Sequence, residues 1–480
     1  MKLTPDQVMT ICKGDTEIAA FVQALLNTIE TQSARIEQLE NRVHELERQL
    51  GSNSNNSSKP PSSDGLRKPT NLRTPGGKKG APKGHPGSNL RMVENPDEIV
   101  LHWLSCCPDC QHSLAEVESQ TYEKRQVFEV PPPRIVTTEH RAEKKYCVHC
   151  SRMQRAAFPE QVKAPVQYGS SLAVWTVYLH AYQLLPLDRI AQLFEDLTGQ
   201  RPSEATLLAM LDTSYVALAP VEKTITERLL VQAKLHADET GCRVKGKTQW
   251  MHVVSDEAYT LLGFHAVRGS KAMKAIGLLP RYSGTVVHDC MQAYFNNKFK
   301  FGHALCNAHL LRECQGIAQY DRHAWPLQMI DLLKEGWQLA RASRQAQTPL
   351  KPEVVQALKD RYDVILEAGK REWELDPVRV KTGTQGRKIK SKAGNLGARL
   401  LLHKEIILSF LWRPHIPFDN NQAERDLRMV KVKQKISGAF RTEEGAKIFA
   451  RLRSVVSTLI KQKSPVLSSL FRALHGQPVL

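Results

Sequence analysis

The chain has 480 residues, of which 41% are hydrophobic and 24% charged, and its 67 Lys and Arg outnumber 49 Asp and Glu for a net charge of +18. No apolar run reaches the roughly 18 residues of a membrane span, so a transmembrane helix is excluded, and the positive excess points to a polyanion, nucleic acid first. The ten cysteines are too scattered for a disulfide framework, and the N-terminus lacks a charged-then-apolar leader, which places the protein in the cytoplasm, at the nucleoid if DNA is the partner.

The first expected element is a long helix over residues 15–50. Val22, Ile29, Ile36, Val43 and Leu50 occupy heptad position a, and Leu25, Gln32, Leu39 and Leu46 position d. β-Branched residues at a with Leu at d favour a parallel two-stranded coiled coil, with Gln32 fixing register. The plainer alternative is an amphipathic helix packed on its own protein. Next comes GSNSNNSSKPPSSDG, which has no side chain suited to a core. Leu66 to Arg91 then carries seven Lys and Arg and no acid. Residues 51–98 therefore read as a flexible basic linker, with Lys78, Lys79 and Lys83 placed to lie along phosphates.

Residues 99–155 carry CCPDC and, about 36 residues later, CVHC. Two CxxC turns in one small segment suit a single tetrahedral ion, so Cys107, Cys110, Cys147 and Cys150 are expected to hold structural Zn²⁺. Cys106, His112 and His149 are alternative ligands. The β-prone stretch QVFEVPPPRIVTTEHRAEKKY would close a zinc ribbon. The remaining cysteines (Cys12, Cys242, Cys290, Cys306, Cys314 and, by default, Cys106) read as small buried hydrophobes.

Residues 160–230 read as helical. Within them LPLDRIAQLFEDLTGQRPSEATLLAMLD resembles a helix-turn-helix, with Asp188 and Ser203 as caps. From Val231 the pattern changes to strands. VQAKLHADET, QWMHVVSD and YTLLGFHAVRG are followed by the helical SKAMKAIGLLPRY, then by GTVVHDCMQAYF, a buried strand running into a helix. This β-β-β-α-β order sets Asp238 and Asp289 at the ends of two strands that are adjacent and parallel in an RNase H-like sheet. Such a carboxylate pair suits Mg²⁺, a hard ion that prefers oxygen ligands, and two such ions drive phosphoryl transfer. The best third acid is Glu424, on a helix starting near Asp419 or Asn420 and oriented by Ala423, Leu427 and Val430. Arg428, one turn on, is placed to meet a phosphate or the acid itself. On the residues alone Asp256, Asp419, Asp426, Glu239 and Glu313 remain alternatives.

The heptads, the SNSNNSSKPPSSDG run, GKKGAPKGHPG, the paired CxxC turns, HADET, HDCMQAYF, CNAHLLRE and DNNQAERDLR together resemble the transposases of the insertion sequence 66 (IS 66) family. The resemblance implies a DDE transposase whose catalytic, Mg²⁺-binding residues are Asp238, Asp289 and Glu424. It further implies a helical insertion over 306–410, opened by Cys306 and His309 in a supporting role, with Asn421 and Arg425 supporting from the DNNxxER motif. The sequence departs from the family after that motif, where it reads MVKVKQKISGAFRTEEG, and again near its C-terminus.

The expected architecture is multidomain and α-rich: coiled coil, linker, zinc ribbon, helical segment and an RNase H-like core (231–305 and 411–460) split by the insertion, with a tail helix over 461–480. The expected partners are double-stranded DNA (terminal inverted repeats and target), a second copy or higher oligomer through the coil, and accessory transposition proteins. Beyond the linker, Arg387 and Lys388 in the insertion and Arg428, Lys431 and Lys433 after Glu424 are candidate DNA contacts. The competing functions are another RNase H-like nuclease or resolvase, and a catalytically inactive zinc-ribbon DNA-binding protein.

Overall fold

The computed structural model describes residues 4–57, 90–376 and 390–480. Lys78, Lys79, Lys83, Arg387 and Lys388 lie outside them. The chain forms two compact units: Met1–Pro69 with Lys163–Ala191 and Pro202–Leu480, and Thr70–Val162 with Gln192–Arg201.

In the smaller unit, β1 (Lys144–Cys147) and β2 (Arg152–Arg155) pair antiparallel. The expected strand before them does not form; among the described residues only its last part, β1, enters a ladder. Pro131, Pro132 and Pro133 supply no backbone donors there, and the apolar side chains around them (Val127, Phe128, Val130, Val136) are exposed. The ribbon is therefore one hairpin and two cysteine turns.

In the larger unit, α1 (Pro5–Ile11) precedes α2 (Thr16–Gly51), the heptad helix. Asp15 caps α2 through the amides of Glu17 and Ile18. Most of its heptad stripe, from Leu25 to Leu50, is exposed. Residues 52–57, expected as the start of the linker, form an ordered turn. Asn53 and Asn56 side chains accept the amides of Asn55 and Asn53, both at 2.8 Å, folding the Ser/Asn run into a turn. Asn56, buried, then donates to Gln319 Oε1 at 2.9 Å and Tyr320 Oη at 3.2 Å. Arg48 grips Asp321 with two bonds of 2.8 and 2.9 Å. A side chain at Gly316 would meet the Asn56 carbonyl at 2.3 Å, so the close approach requires glycine.

Helices α3 (Ser170–Val177), α4 (Leu187–Thr198), α5 (Glu204–Ala217) and α6 (Ala219–Leu230) follow, as expected. Ser203 caps α5. Asp188 lies inside the first turn of α4 and does not precede it. The sheet then forms from β3 (Lys234–Val244), β4 (Lys247–Ser255), β5 (Thr260–His265), β6 (Thr285–His288) and β7 (Gly302–Leu305), in the order β5-β4-β3-β6-β7. β3, β4 and β5 are antiparallel; β6 runs parallel to β3 and β7 parallel to β6. Helix α7 (Ser270–Ile276) lies between β5 and β6 in the chain.

Two expectations change here. β3 does not stop at Asp238, because a two-residue turn at Lys245 (φ 48°) and Gly246 (φ 77°) lets it run on against β4. Asp238 instead stands just past the last β3–β6 pair, His236 opposite Val287. After β6 the chain forms turns rather than a helix, and FGHAL supplies the fifth strand, β7.

The described residues between 306 and 410 are mostly helical, as expected: α8 (Asn307–Tyr320), α9 (Trp325–Gln345), α10 (Pro352–Trp373), α11 (Lys392–Leu402) and α12 (Lys404–Leu408). Their core, around Trp325, Leu333 and Tyr362, is continuous with Val287 and Leu305 of the sheet. The chain ends with α13 (Asn421–Ser437), α14 (Glu443–Lys461) and α15 (Val466–Leu474). Ala423, Leu427 and Val430 bury the expected stripe of α13 against Cys242, Met251 and Val253. Among the described residues no helix is long and apolar enough to cross a membrane.

Candidate active site

β3 and β6 are parallel neighbours with Leu235 opposite Val286 and His236 opposite Val287. Two residues further along each, Asp238 stands level with Asp289, the residue after the end of β6. Carboxylate oxygens of Asp238, Asp289 and Glu239 lie within 4.8 Å of one another. Asp289 Oδ1 accepts the Met291 amide at 3.0 Å, with Cys290 left-handed (φ 69°) in the turn between them. Asp238 Oδ1 accepts the Glu239 amide at 2.8 Å. Burial, then the charges of Glu239 and Asp289 and, more weakly, Glu424, push the Asp238 carboxyl well above the usual range.

Glu424, on α13, is close enough for its charge to be felt weakly at Asp238, but its carboxylate groups with Cys306 and His309 rather than with the two aspartates; the helix is aimed by Asn420. Asn420 is fully buried; its Nδ2 donates to the Ala237 carbonyl at 2.8 Å, and its Oδ1 lies 2.9 Å from His236 Nδ1. Its backbone amide donates to Cys306 Sγ at 3.2 Å. Glu424 Oε1 lies 3.2 Å from Arg312 Nη2 and 3.7 Å from His309 Nδ1. Cys306, His309 and Glu424 form a second close group. Burial lifts the Cys306 thiol to about 12, and burial with Arg312 takes His309 down to about 4. Both are therefore neutral near neutral pH. The Arg312 guanidinium is also on Glu424.

The other expected residues divide. Asn421 is exposed, its amide on Asp419 Oδ1 at 3.0 Å; the supporting asparagine is its neighbour Asn420. Arg425 is exposed and bonds Gln422, and Arg428 is exposed without reaching Glu424, whose partner is Arg312. Lys431 donates to the Gly241 carbonyl. Lys433 is not on a DNA-facing surface: it is 5% exposed, beside the Phe449 ring, and burial lowers its ammonium to about 8. Of the alternative acids, Asp256 closes the β4–β5 turn through the Ala258 and Tyr259 amides, Asp426 pairs with Lys461, and Glu313 pairs with Arg399. Glu239 does join the aspartates. Its neighbours, Arg268 at 2.6 Å and Tyr294 at 2.9 Å, carried no signal in the sequence.

Oxygen donors in a buried cluster with surplus negative charge fit a divalent cation such as Mg²⁺. In the smaller unit each cysteine turn is formed. Cys107 is held below the usual thiol range by the Cys110 and Asp109 amides, and Cys147 by the Cys150 amide and thiol. Such turns present thiolates to a metal. Among the described residues the two pairs do not come together as one group.

Residues 165–448, more than half of the chain, match the family described as Transposase IS66 family. The chain belongs to this family. Residues 105–151 of the transposase match the zinc-finger binding domain of transposase IS66, a span that includes all four CxxC cysteines. Residues 4–91 match a family of unknown function. A comparison with curated proteins returns no match.

Proposed function

We propose that this IS66 family transposase binds the ends of its insertion sequence and carries out cleavage and strand transfer of DNA at Asp238, Asp289 and Glu424. The observation that carries the reading is the level pairing of Asp238 and Asp289 on parallel strands, with Glu424 brought in by the Asn420-anchored helix. The strand order, three antiparallel strands followed by two parallel ones, supports an RNase H-like core.

Asp238, Asp289 and Glu424 would hold Mg²⁺, two ions in the full site, which when bound polarises phosphoryl oxygens and makes water or a 3′-hydroxyl a better nucleophile. The chain's own contribution is placement. Asn420 and His236 fix the approach of α13, Arg312 holds the Glu424 carboxylate, and the Met291 amide fixes Oδ1 of Asp289. Cys107, Cys110, Cys147 and Cys150 would hold structural Zn²⁺ in a DNA-binding module, and the exposed stripe of α2 would pair two copies.

The test is a cleavage and joining assay on DNA carrying the element's ends. Asp238→Ala, Asp289→Ala and Glu424→Ala should each lower the cleavage rate by a factor on the order of 10³ or more while end binding persists. Cleavage without joining would instead identify a nuclease, and wild-type rates in the variants would leave a DNA-binding protein.

A further inference from the structure

The acidic site contains a guanidinium to which the reading above gives no task. Arg268 follows β5 and precedes Gly269, whose φ of 91° turns the chain toward α7. Its Nε and Nη2 lie 2.7 and 2.6 Å from Oε1 of Glu239. The same Nη2 is 3.8 Å from Oδ2 of Asp289. The guanidinium stands 4.9 Å from the Trp250 ring centroid, on the neighbouring strand.

The two members of the pair differ in exposure. The Glu239 side chain is 0% exposed and the Arg268 side chain 42%. Glu239 Oε2 accepts the Tyr294 hydroxyl at 2.9 Å, so both of its oxygens are engaged from inside the protein. Its neighbours leave it an anchor rather than a ligand facing the solvent. Arg268 keeps Nη1 and the second hydrogen of Nη2 for another acceptor, at the mouth of the carboxylate cluster. A long side chain fixed by an ion pair and an aromatic ring has already lost much of its rotamer freedom, which favours tight bidentate recognition. A cluster of carboxylates repels a polyanion; a guanidinium at its rim offsets that repulsion where the strand must pass.

We propose that Arg268 is a phosphate-binding residue of the active site, which Glu239, Tyr294 and Trp250 hold ready to contact a backbone phosphate of the DNA strand beside the reacting one. The proposal rests on the reading of Asp238 and Asp289 as the site of phosphoryl transfer.

The test uses the full-length transposase and end-containing DNA in which single phosphates around the cleaved bond are replaced, one at a time, by neutral methylphosphonates. Wild-type kcat/KM should fall roughly 10- to 100-fold at one flanking position, the range expected for one charge-assisted contact. Arg268→Ala should show that loss on natural DNA and lose nothing more when the same phosphate is neutralised. Arg268→Lys should recover part of the binding, and Glu239→Gln should fall between wild type and Arg268→Ala. The proposal is overturned if Arg268→Ala retains wild-type kcat/KM, or if its loss multiplies with the methylphosphonate loss at every position. Should Arg268→Ala fail to fold, Arg268→Lys against the same substrates decides, because a residue with a purely structural role would show no phosphate-specific coupling. Asp238→Ala separates the two levels: if that variant still cleaves, the site itself is misassigned, whatever Arg268 does.

Discussion

Asp238 is half-buried among acids, and in the metal-free protein that arrangement opposes its charge. A carboxyl raised above its unfolded value contributes stability that is fully present below the unfolded pKa and is lost as pH rises through the native one. Burial and the charges of Glu239 and Asp289 raise this one. Measured against Asp238→Asn, which cancels the opposing effect of buried histidines such as His309, the metal-free wild type should therefore lose stability as pH rises from mildly acidic to mildly alkaline. Asp238→Asn should flatten that dependence and raise the neutral-pH midpoint by a few degrees while abolishing cleavage. Thermal denaturation across pH, in the presence of a chelator, measures it; a lower midpoint at every pH would show that Asp238 is a stabilising ligand of its neighbours instead. The two aspartates were legible because strand order and alternation place them together before any contact is known. Asn420, Arg268 and Tyr294 were not, because their partners are far away in sequence: Asn420 bonds Ala237, and Tyr294 bonds Glu239. The DNN run offered neighbouring asparagines of identical chemistry, and only the fold distinguishes the buried one from the exposed one.

Among the elements, β5 shows how the sheet ends. As an edge strand it presents outward amides that invite pairing with another chain. Helix α14 lies over that edge: Thr458 Oγ1 accepts the Thr260 amide at 3.1 Å, and Ser454 Oγ accepts the Leu262 amide at 2.8 Å. The match is geometric, since two residues of strand span about 6.6 Å and four residues of helix about 6 Å. Both hydroxyls are buried. Ser454→Ala and Thr458→Val should each cost about 1–3 kcal/mol, the effect of leaving a buried amide without its acceptor, as read from chemical denaturation. A change below ~0.5 kcal/mol in both would mean that water or another group serves these amides equally well. The helices, the strands and the insertion were visible as changes in apolar period, but this helix-to-edge pairing was not, because Ser and Thr within a helix carry no mark of the strand they meet. β7 escaped for a related reason. FGHAL is short, and its identity as a strand comes from β6 beside it rather than from its own pattern.

At the scale of the molecule, α2 leaves an apolar surface that none of the described residues covers. Leu25, Ile29, Ile36, Leu39, Val43 and Leu46 are 41–57% exposed along a helix whose far end is tied to α8 by Arg48 and Asn56. A continuous apolar stripe of this length on a free helix is unfavourable in water, and the heptad spacing makes a second copy the fitting cover. The docking of the Ser/Asn run sharpens the consequence. Because the helix base is fixed to the insertion that also carries His309 and Arg312, pairing two coils would hold two catalytic cores at a set separation rather than on loose tethers. Wild type should sediment as a dimer in analytical ultracentrifugation and Ile36→Lys with Leu39→Glu as a monomer, without a shift in the main thermal transition, since both side chains lie outside the three buried cores. Cleavage at a single DNA end should persist, because the acids of one copy complete the site. Concerted joining of two ends should be lost, because it requires both sites in one assembly. A variant that is monomeric yet still joins paired ends would show that the coil serves some other partner, and that the element's ends are brought together by contacts elsewhere in the protein.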